Sequence, residues 1–121
     1  MKILESGEDY LERILFLQEK NGNVRSIDIA TDMNFSKPSV SVAMKKLKEN
    51  GYILIDDNGY ITLTPKGDEI AKRISERHIV LTEVLKSMGV DEEIAKKDAC
   101  KIEHDLSDET FEAIKKYINR K

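Results

Sequence analysis

The chain has 121 residues, of which 40% are hydrophobic and 36% are charged, and its formal net charge is −3. This length allows one domain or two very small ones, and the single cysteine excludes an internal disulfide framework. No apolar run reaches the roughly 20 residues of a membrane span, and the N-terminus lacks a signal-peptide pattern, so we expect a soluble cytoplasmic protein with no membrane partner.

The first three predicted elements are helices. Apolar residues at helical spacing predict a first helix from a Ser6 cap to about Lys20. A second, short helix is predicted to begin with Ser26 as its cap. A third is predicted to run from a Ser36 cap, with a proline in its first turn, to Gly51.

The spacing of the apolar residues then changes. Two β-prone runs, 52–55 and 60–63, flank a segment that ends in Asn58-Gly59, and an Asn-Gly pair between such runs predicts a hairpin. A long fourth helix is predicted over residues 65–89, followed by two further helices divided at residues 106–107. The sequence therefore predicts a mostly α fold with a small β-hairpin wing.

The order short helix, turn, helix and hairpin is typical of a winged helix-turn-helix, which we assign to residues 1–70. The third helix of such a unit lies in the major groove, with its first residues at base edges and its later ones near phosphates. Residues 36–48 contain four lysines and no acid, although the whole chain is acidic, and local charge decides whether phosphates are attracted. The alternative is a three-helix unit with a solvated lysine face. The predicted DNA-binding residues are Lys37, Pro38, Ser39, Ser41, Val42, Lys45 and Lys46.

A cluster of metal-ligating residue types lies near the C-terminus. Cys100, Glu103 and His104 fall on one face of a predicted helix, because positions i, i+3 and i+4 share a face. A thiolate, a carboxylate and an imidazole together suit a first-row divalent metal. The alternative is a half-buried cysteine beside a surface Glu-His pair.

Three further residues have two interpretations each. Asp9 and Glu12 share a face of the first helix, yet Asp9 can instead complete a capping box with Ser6. His78 falls in register with the apolar stripe of the fourth helix, where a histidine is more often a hydrogen-bonded core residue than a ligand. Each of these signals is weak alone and gains weight beside a winged helix.

In combination, the winged helix-turn-helix, the Cys100–Glu103–His104 cluster and the acidic pair of the first helix resemble the diphtheria-toxin-repressor family of iron- and manganese-dependent transcriptional regulators. The resemblance is greatest to its short manganese-transport-regulator branch. The resemblance covers nearly the whole chain and implies a homodimer in which residues 71–121 form a helical metal-binding and dimerisation domain, with no SH3-like domain expected. The matching segments are GEDYLERI, SKPSVSVAMKKLKENGY, LTPKG, Arg77-His78 and DACKIEHDLSDE.

The resemblance also implies a ligand set. Asp9 and Glu12 match the manganese branch, whereas Cys100 matches the iron branch, so the implied cofactor is Fe(II) or Mn(II), with Co(II) or Zn(II) also able to bind in vitro. The implied metal ligands are Asp9, Glu12, His78, Cys100, Glu103 and His104.

The function that the resemblance implies is repression of metal-uptake genes, without enzymatic activity. The ion would bridge the two domains and fix the dimer for a palindromic double-stranded DNA operator, whose half-sites lie about 34–36 Å apart. One alternative is a metal-independent winged-helix dimer of the multiple-antibiotic-resistance-regulator type, with His78 in the core. The other is a small metalloenzyme with Glu12 or Glu103 as general base, which the lack of a phosphate loop or a nucleophile–base pair disfavours.

Overall fold

The computed structural model describes residues 5–119, and its elements follow the predicted order. Ile53 pairs with Leu63 and Ile55 with Ile61 in an antiparallel hairpin, so the prediction of a mostly α fold with a β-hairpin is confirmed. Within the described residues, no helix has the length and apolar character that a membrane crossing requires. The elements are α1 (Glu5–Asn21), α2 (Ser26–Met33), α3 (Lys37–Glu49), β1 (Ile53–Ile55), β2 (Ile61–Leu63), α4 (Pro65–Ser87), α5 (Glu92–Ile102) and α6 (Asp108–Asn119).

The chain divides into two compact units, and the boundary falls inside α4, after Lys72. The first unit contains α1, α2, α3, the hairpin and the start of α4. Its core is aliphatic, because each helix and strand turns its apolar residues to the same interior. The largest fully buried side chains of this core are Leu11, Ile14, Ile29, Met44, Ile53 and Ile61.

The second unit contains the rest of α4 together with α5 and α6. Its buried apolar side chains are fewer than those of the first unit. They are Ile74, Leu81, Ala95, Ala99 and Phe111. Arg77 and Glu103 are buried in the same unit, with 5% and 0% of their surface exposed.

Two of the predicted helix caps are wrong. Ser6 cannot be the cap of α1, because the helix already includes Glu5, and the capping-box explanation of Asp9 fails with it. The N-cap of α2 is Arg25, which has an extended backbone, and not the predicted Ser26, which is the first residue of the helix. The Arg25 amide donates to the Asp28 carboxylate at 2.9 Å. The third predicted cap is confirmed, since the Ser36 hydroxyl accepts a hydrogen bond from the α3 backbone.

The first turn of α4 is fastened to the end of α3 and to the hairpin. The Thr64 hydroxyl donates to the Gly51 carbonyl at 2.7 Å, and the Gly67 amide donates to the Thr64 hydroxyl at 3.2 Å. A Cβ atom on Gly67 would lie 2.1 Å from the Tyr52 carbonyl oxygen, so this close approach requires glycine. The LTPKG segment therefore sets where α4 begins.

The prediction that residues 100–104 form one helix is wrong at its end. α5 stops at Ile102, Glu103 keeps helical backbone angles as the C-cap, and His104 lies in the turn that follows. The carbonyls of Glu103 and Leu106 accept hydrogen bonds from the Arg77 side chain. The Arg77 side chain thus supplies the hydrogen-bond donors that a further helical turn would otherwise offer to such carbonyls.

Candidate functional site

One face of α3 is free to meet a ligand. Its apolar residues Val40, Met44 and Leu47 are buried in the first unit, and the opposite face is exposed, with 56% of Val42 accessible to solvent. The structure therefore leaves the complete predicted DNA-binding set accessible. These exposed residues are Lys37, Pro38, Ser39, Ser41, Val42, Lys45 and Lys46.

The N-terminus of α3 is well suited to approach an anion. Its first turn contains no acidic side chain, and the partial positive charge of a helix N-terminus attracts phosphate. The Ser36 hydroxyl donates to the Ser39 hydroxyl at 2.8 Å, which fixes two small polar groups at this end. At the other end, the last turn carries Lys46 and Lys48.

The wing is less suited to phosphate. The Asp56 carboxylate accepts hydrogen bonds from the amides of Asn58 and Tyr60, both at 2.9 Å, so it shapes the turn. Asp57 at the tip is exposed and acidic. The exposed positive charge that could attract a phosphate therefore lies on α3 and not at the tip of the hairpin.

The two predicted metal ligands of the first unit lie on α1. Asp9 and Glu12 are one turn apart, so their side chains share a face of the helix, and both are half-buried. Two carboxylates with this spacing offer hard oxygen donors, which Mn(II) and Fe(II) accept.

The other four predicted ligands belong to the second unit, where His78, Cys100 and His104 lie around the Glu103 carboxylate. Its Oε2 lies 3.0 Å from Nδ1 of His78, and its Oε1 lies 3.5 Å from Nε2 of His104. The thiol of Cys100, whose residue is exposed, lies within 4.8 Å of a Glu103 carboxylate oxygen. The structure thus gathers a sulfur, two imidazoles and a carboxylate from α4, α5 and the turn after α5.

The burial of Glu103 gives a physical test of whether this cluster fits a metal. Glu103 Oε1 is buried and accepts no hydrogen bond from the described residues. A buried carboxylate oxygen that accepts no hydrogen bond costs free energy, and a cation would offset that cost. His78 leaves 31% of its side chain exposed and contacts this carboxylate, which argues against a purely apolar core role. The donor set fits a first-row divalent ion.

Arg77 is the residue whose role the sequence did not reveal. It precedes His78 in the chain and occurs in the Arg77-His78 segment, yet no spacing rule assigned it a function. In the structure its guanidinium contacts the backbone of the turn that follows α5. The only local signal for a buried role of Arg77 is its position on α4, at helical spacing between the buried residues Ile74 and Leu81.

Comparison with known proteins identifies both parts of the chain. The family model "Iron dependent repressor, N-terminal DNA binding domain" matches residues 2–61. The model "Iron dependent repressor, metal binding and dimerisation domain" matches residues 64–120. Together the two models account for nearly the whole sequence.

Individual relatives agree with these models. An uncharacterised HTH-type transcriptional regulator of Methanocaldococcus jannaschii is 41% identical, over 96% of this chain and 94% of its own length. The HTH-type transcriptional regulator MntR of Lysinibacillus sphaericus is 39% identical, over 84% of this chain and 73% of its own length.

Solved structures give the same result for the fold. The manganese regulator SloR superposes with a TM-score of 0.82 at 29% identity, over 93% of this chain and 53% of its own. A manganese-dependent transcriptional repressor in complex with manganese superposes with a TM-score of 0.82 at 27% identity. The match covers 93% of this chain and 52% of that protein. This chain spans about half the length of these two proteins. It belongs to the iron-dependent repressor family of metal-dependent transcriptional regulators, the family that its sequence motifs resemble.

Proposed function

We propose that this protein is a homodimeric transcriptional repressor that binds its operator tightly only when Fe(II) or Mn(II) is bound. The observation that carries the proposal is the Glu103 carboxylate, which is fully buried beside two imidazoles and a thiol and has one oxygen without a hydrogen-bond donor in residues 5–119. In a regulator that only dimerises and binds DNA, a buried carboxylate oxygen that accepts no hydrogen bond would cost stability without serving the function. A regulator gated by a divalent cation requires such a group.

The proposed ligands come from both compact units. Asp9 and Glu12 belong to the first unit and His78, Cys100, Glu103 and His104 to the second. Without a cation, the carboxylates of this proposed ligand set would repel one another. These residues would hold the ion, whose positive charge would offset the repulsion and reduce the conformational cost of DNA binding.

In the proposed complex, α3 lies in the major groove. Its exposed N-terminal residues Lys37, Ser39 and Ser41 would face base edges, and Lys45 and Lys46 would contact phosphates. A homodimer presents two such helices, which is why we expect a palindromic operator. The regulated genes would be those of metal uptake. The repressor would act in the cytoplasm, where it can bind both metal ions and chromosomal DNA.

Cys100 is the residue that we expect to tune the choice of metal. A thiolate favours Fe(II), Co(II) or Zn(II) over Mn(II), whereas the carboxylates at Asp9, Glu12 and Glu103 suit the harder ions. The Cys100→Glu variant replaces the soft donor with a hard one. We expect its relative affinity for Mn(II) over Co(II) to increase; an unchanged ratio would remove Cys100 from the coordination sphere.

The experiment that tests the proposal combines metal analysis with DNA binding. Native mass spectrometry with Mn(II), Fe(II), Co(II) and Zn(II) gives the number of ions for each dimer, and the same samples are assayed for operator binding. The proposal expects stoichiometric metal together with increased operator affinity. A dimer that retains full operator affinity without any metal would contradict it and would favour the metal-independent class of winged-helix regulator.

A further inference from the structure

Arg77 is a buried cation whose hydrogen bonds converge on the turn that follows α5. Its Nη1 donates to the carbonyls of Glu103 at 3.1 Å and Leu106 at 2.6 Å, and its Nη2 donates to Asp108 Oδ1 at 2.5 Å. The guanidinium carbon also lies 5.3 Å from the centre of the Phe111 ring. Only 5% of Arg77 is exposed, so its guanidinium is shielded from solvent although Asp108 is not, and hydrogen bonds to a buried charge are strong.

Arg77 and its neighbour His78 hold the same residue by different groups. Arg77 binds the backbone carbonyl of Glu103, and His78 contacts the carboxylate of Glu103. Consecutive residues of α4 therefore fix both the position of the Glu103 backbone and the direction of its side chain.

The choice of acceptor matters as much as the number of bonds. An arginine that paired with the Glu103 carboxylate would neutralise it and compete with a metal ion. The structure instead directs the guanidinium to two backbone carbonyls and to the exposed carboxylate of Asp108. Arg77 thus orders the turn while Glu103 Oε1 stays without a hydrogen-bond donor among the described residues.

We propose that Arg77 is a positioning residue that holds the Glu103–His104 turn in its metal-binding conformation before any metal arrives. This inference rests on the proposed function, since it assigns a role in metal affinity. Residues that hydrogen-bond to metal ligands without touching the metal orient those ligands, and their loss typically weakens metal affinity about 10- to 100-fold.

The test compares Arg77→Lys with Lys115→Met. Lysine keeps the charge of Arg77 but lacks the planar fork that can reach three acceptors at once. Lys115 is the matched control. Its ammonium lies 5.5 Å from the centre of the same Phe111 ring, but its ion pairs are with Glu76 at 3.2 Å and Glu112 at 3.6 Å, which are not residues of the turn. The hydrogen bond with Glu76 raises the pKa of Lys115, so Lys115→Met removes a cation, whereas Arg77→Lys retains one.

Two measurements are made on each full-length protein. Hydrogen exchange of the metal-free protein reports opening of the turn through the amides of residues 103–107. Titration with Co(II) reports affinity, and the visible absorption of bound Co(II) reports the geometry of its ligands. A residue that only stabilises the fold would leave the Co(II) spectrum at saturation unchanged.

We expect Arg77→Lys to accelerate exchange in the turn by about tenfold or more, to weaken Co(II) affinity by about 10- to 100-fold and to alter the spectrum, with Lys115→Met like wild type. Should Arg77→Lys fail to fold, Asp108→Ala removes a single bond at a site whose side chain is 81% exposed, and we expect about a threefold loss of affinity.

The outcomes separate this inference from the proposed function. Tight Co(II) binding by wild type with the same affinity and spectrum in Arg77→Lys would overturn the role of Arg77 and leave the proposed function intact. If wild type does not bind Co(II), the proposed function fails, and the role of Arg77 in metal binding fails with it.

Discussion

The two compact units are stabilised by different kinds of buried group. The first unit encloses a continuous aliphatic core to which every helix and both strands contribute. The second unit buries fewer large apolar side chains and encloses a guanidinium and a carboxylate, those of Arg77 and Glu103. Burial of apolar surface stabilises in proportion to its area, whereas burial of charge stabilises only where the charge is well paired.

The difference reflects what each unit has to do. A DNA-binding unit must present a rigid α3, and an aliphatic core supports it without restricting the residues on the exposed face. In the proposed function the second unit keeps the buried Glu103 carboxylate available to a cation, and its interior is correspondingly part polar. The first unit should depend on packing for its stability, and the second on the hydrogen bonds of the buried Arg77 guanidinium.

The largest expected effect is on the core of the first unit. Ile53→Ala removes a fully buried side chain from β1, and we expect the free energy of unfolding to fall by about 2–5 kcal/mol. The matched control is Leu54→Ala on the same strand, where the side chain is 60% exposed and the expected loss is about 0.5 kcal/mol or less. Urea denaturation followed by circular dichroism measures both. Similar losses for the two variants would show that packing does not dominate this unit.

The next effect separates stability from function in the second unit. Glu103→Gln keeps the shape of the side chain but removes its charge, so we expect no loss of stability in the metal-free protein and a loss of Mn(II) affinity of about 100-fold or more. Thermal unfolding without metal and Mn(II) titration by electron paramagnetic resonance provide the two values. Tight Mn(II) binding by this variant would exclude the Glu103 carboxylate as a ligand.

The smallest expected effect on stability is on the exposed face of α3. Lys45→Ala should leave unfolding unchanged and weaken binding to all DNA sequences alike, and it should flatten the slope of log affinity against log salt concentration by about 0.9. Ser41→Ala is the matched variant one turn earlier, and we expect it to change sequence preference while the salt slope stays the same. If Lys45→Ala changed the preferred operator and kept the salt slope, the proposed orientation of α3 would be wrong.

Sequence patterns predicted the first unit better than the second, for a physical reason. Apolar periodicity and an Asn-Gly turn are local signals, and they located the helices and the hairpin of the first unit, with α2 capped one residue earlier than predicted. The turn that follows α5 accepts hydrogen bonds from Arg77, which lies 26 residues from Glu103 and 29 from Leu106 in the chain. A hydrogen bond over such a separation leaves no periodic trace, so the helix was predicted too long.

The candidate site was visible in part. The spacing of Cys100 and Glu103 correctly indicated a shared face, because Glu103 keeps helical backbone angles. The contact between His78 and Glu103 was not visible, since periodicity alone gives a histidine on an apolar stripe the same appearance whether it is a core residue or a ligand. Neither could the sequence indicate that Glu103 would be the most deeply buried acid of the second unit.

The most direct test of metal gating is the operator affinity of the wild-type protein with and without metal. Duplexes are selected from random sequences in parallel with Mn(II) and with a chelator, and binding to the selected duplexes is measured by fluorescence anisotropy at constant salt. The account predicts enrichment only with metal, and an affinity that falls by about 100-fold when chelator is added and recovers when excess Mn(II) or Fe(II) is restored. Equal enrichment and equal affinity in the metal-free protein would contradict it.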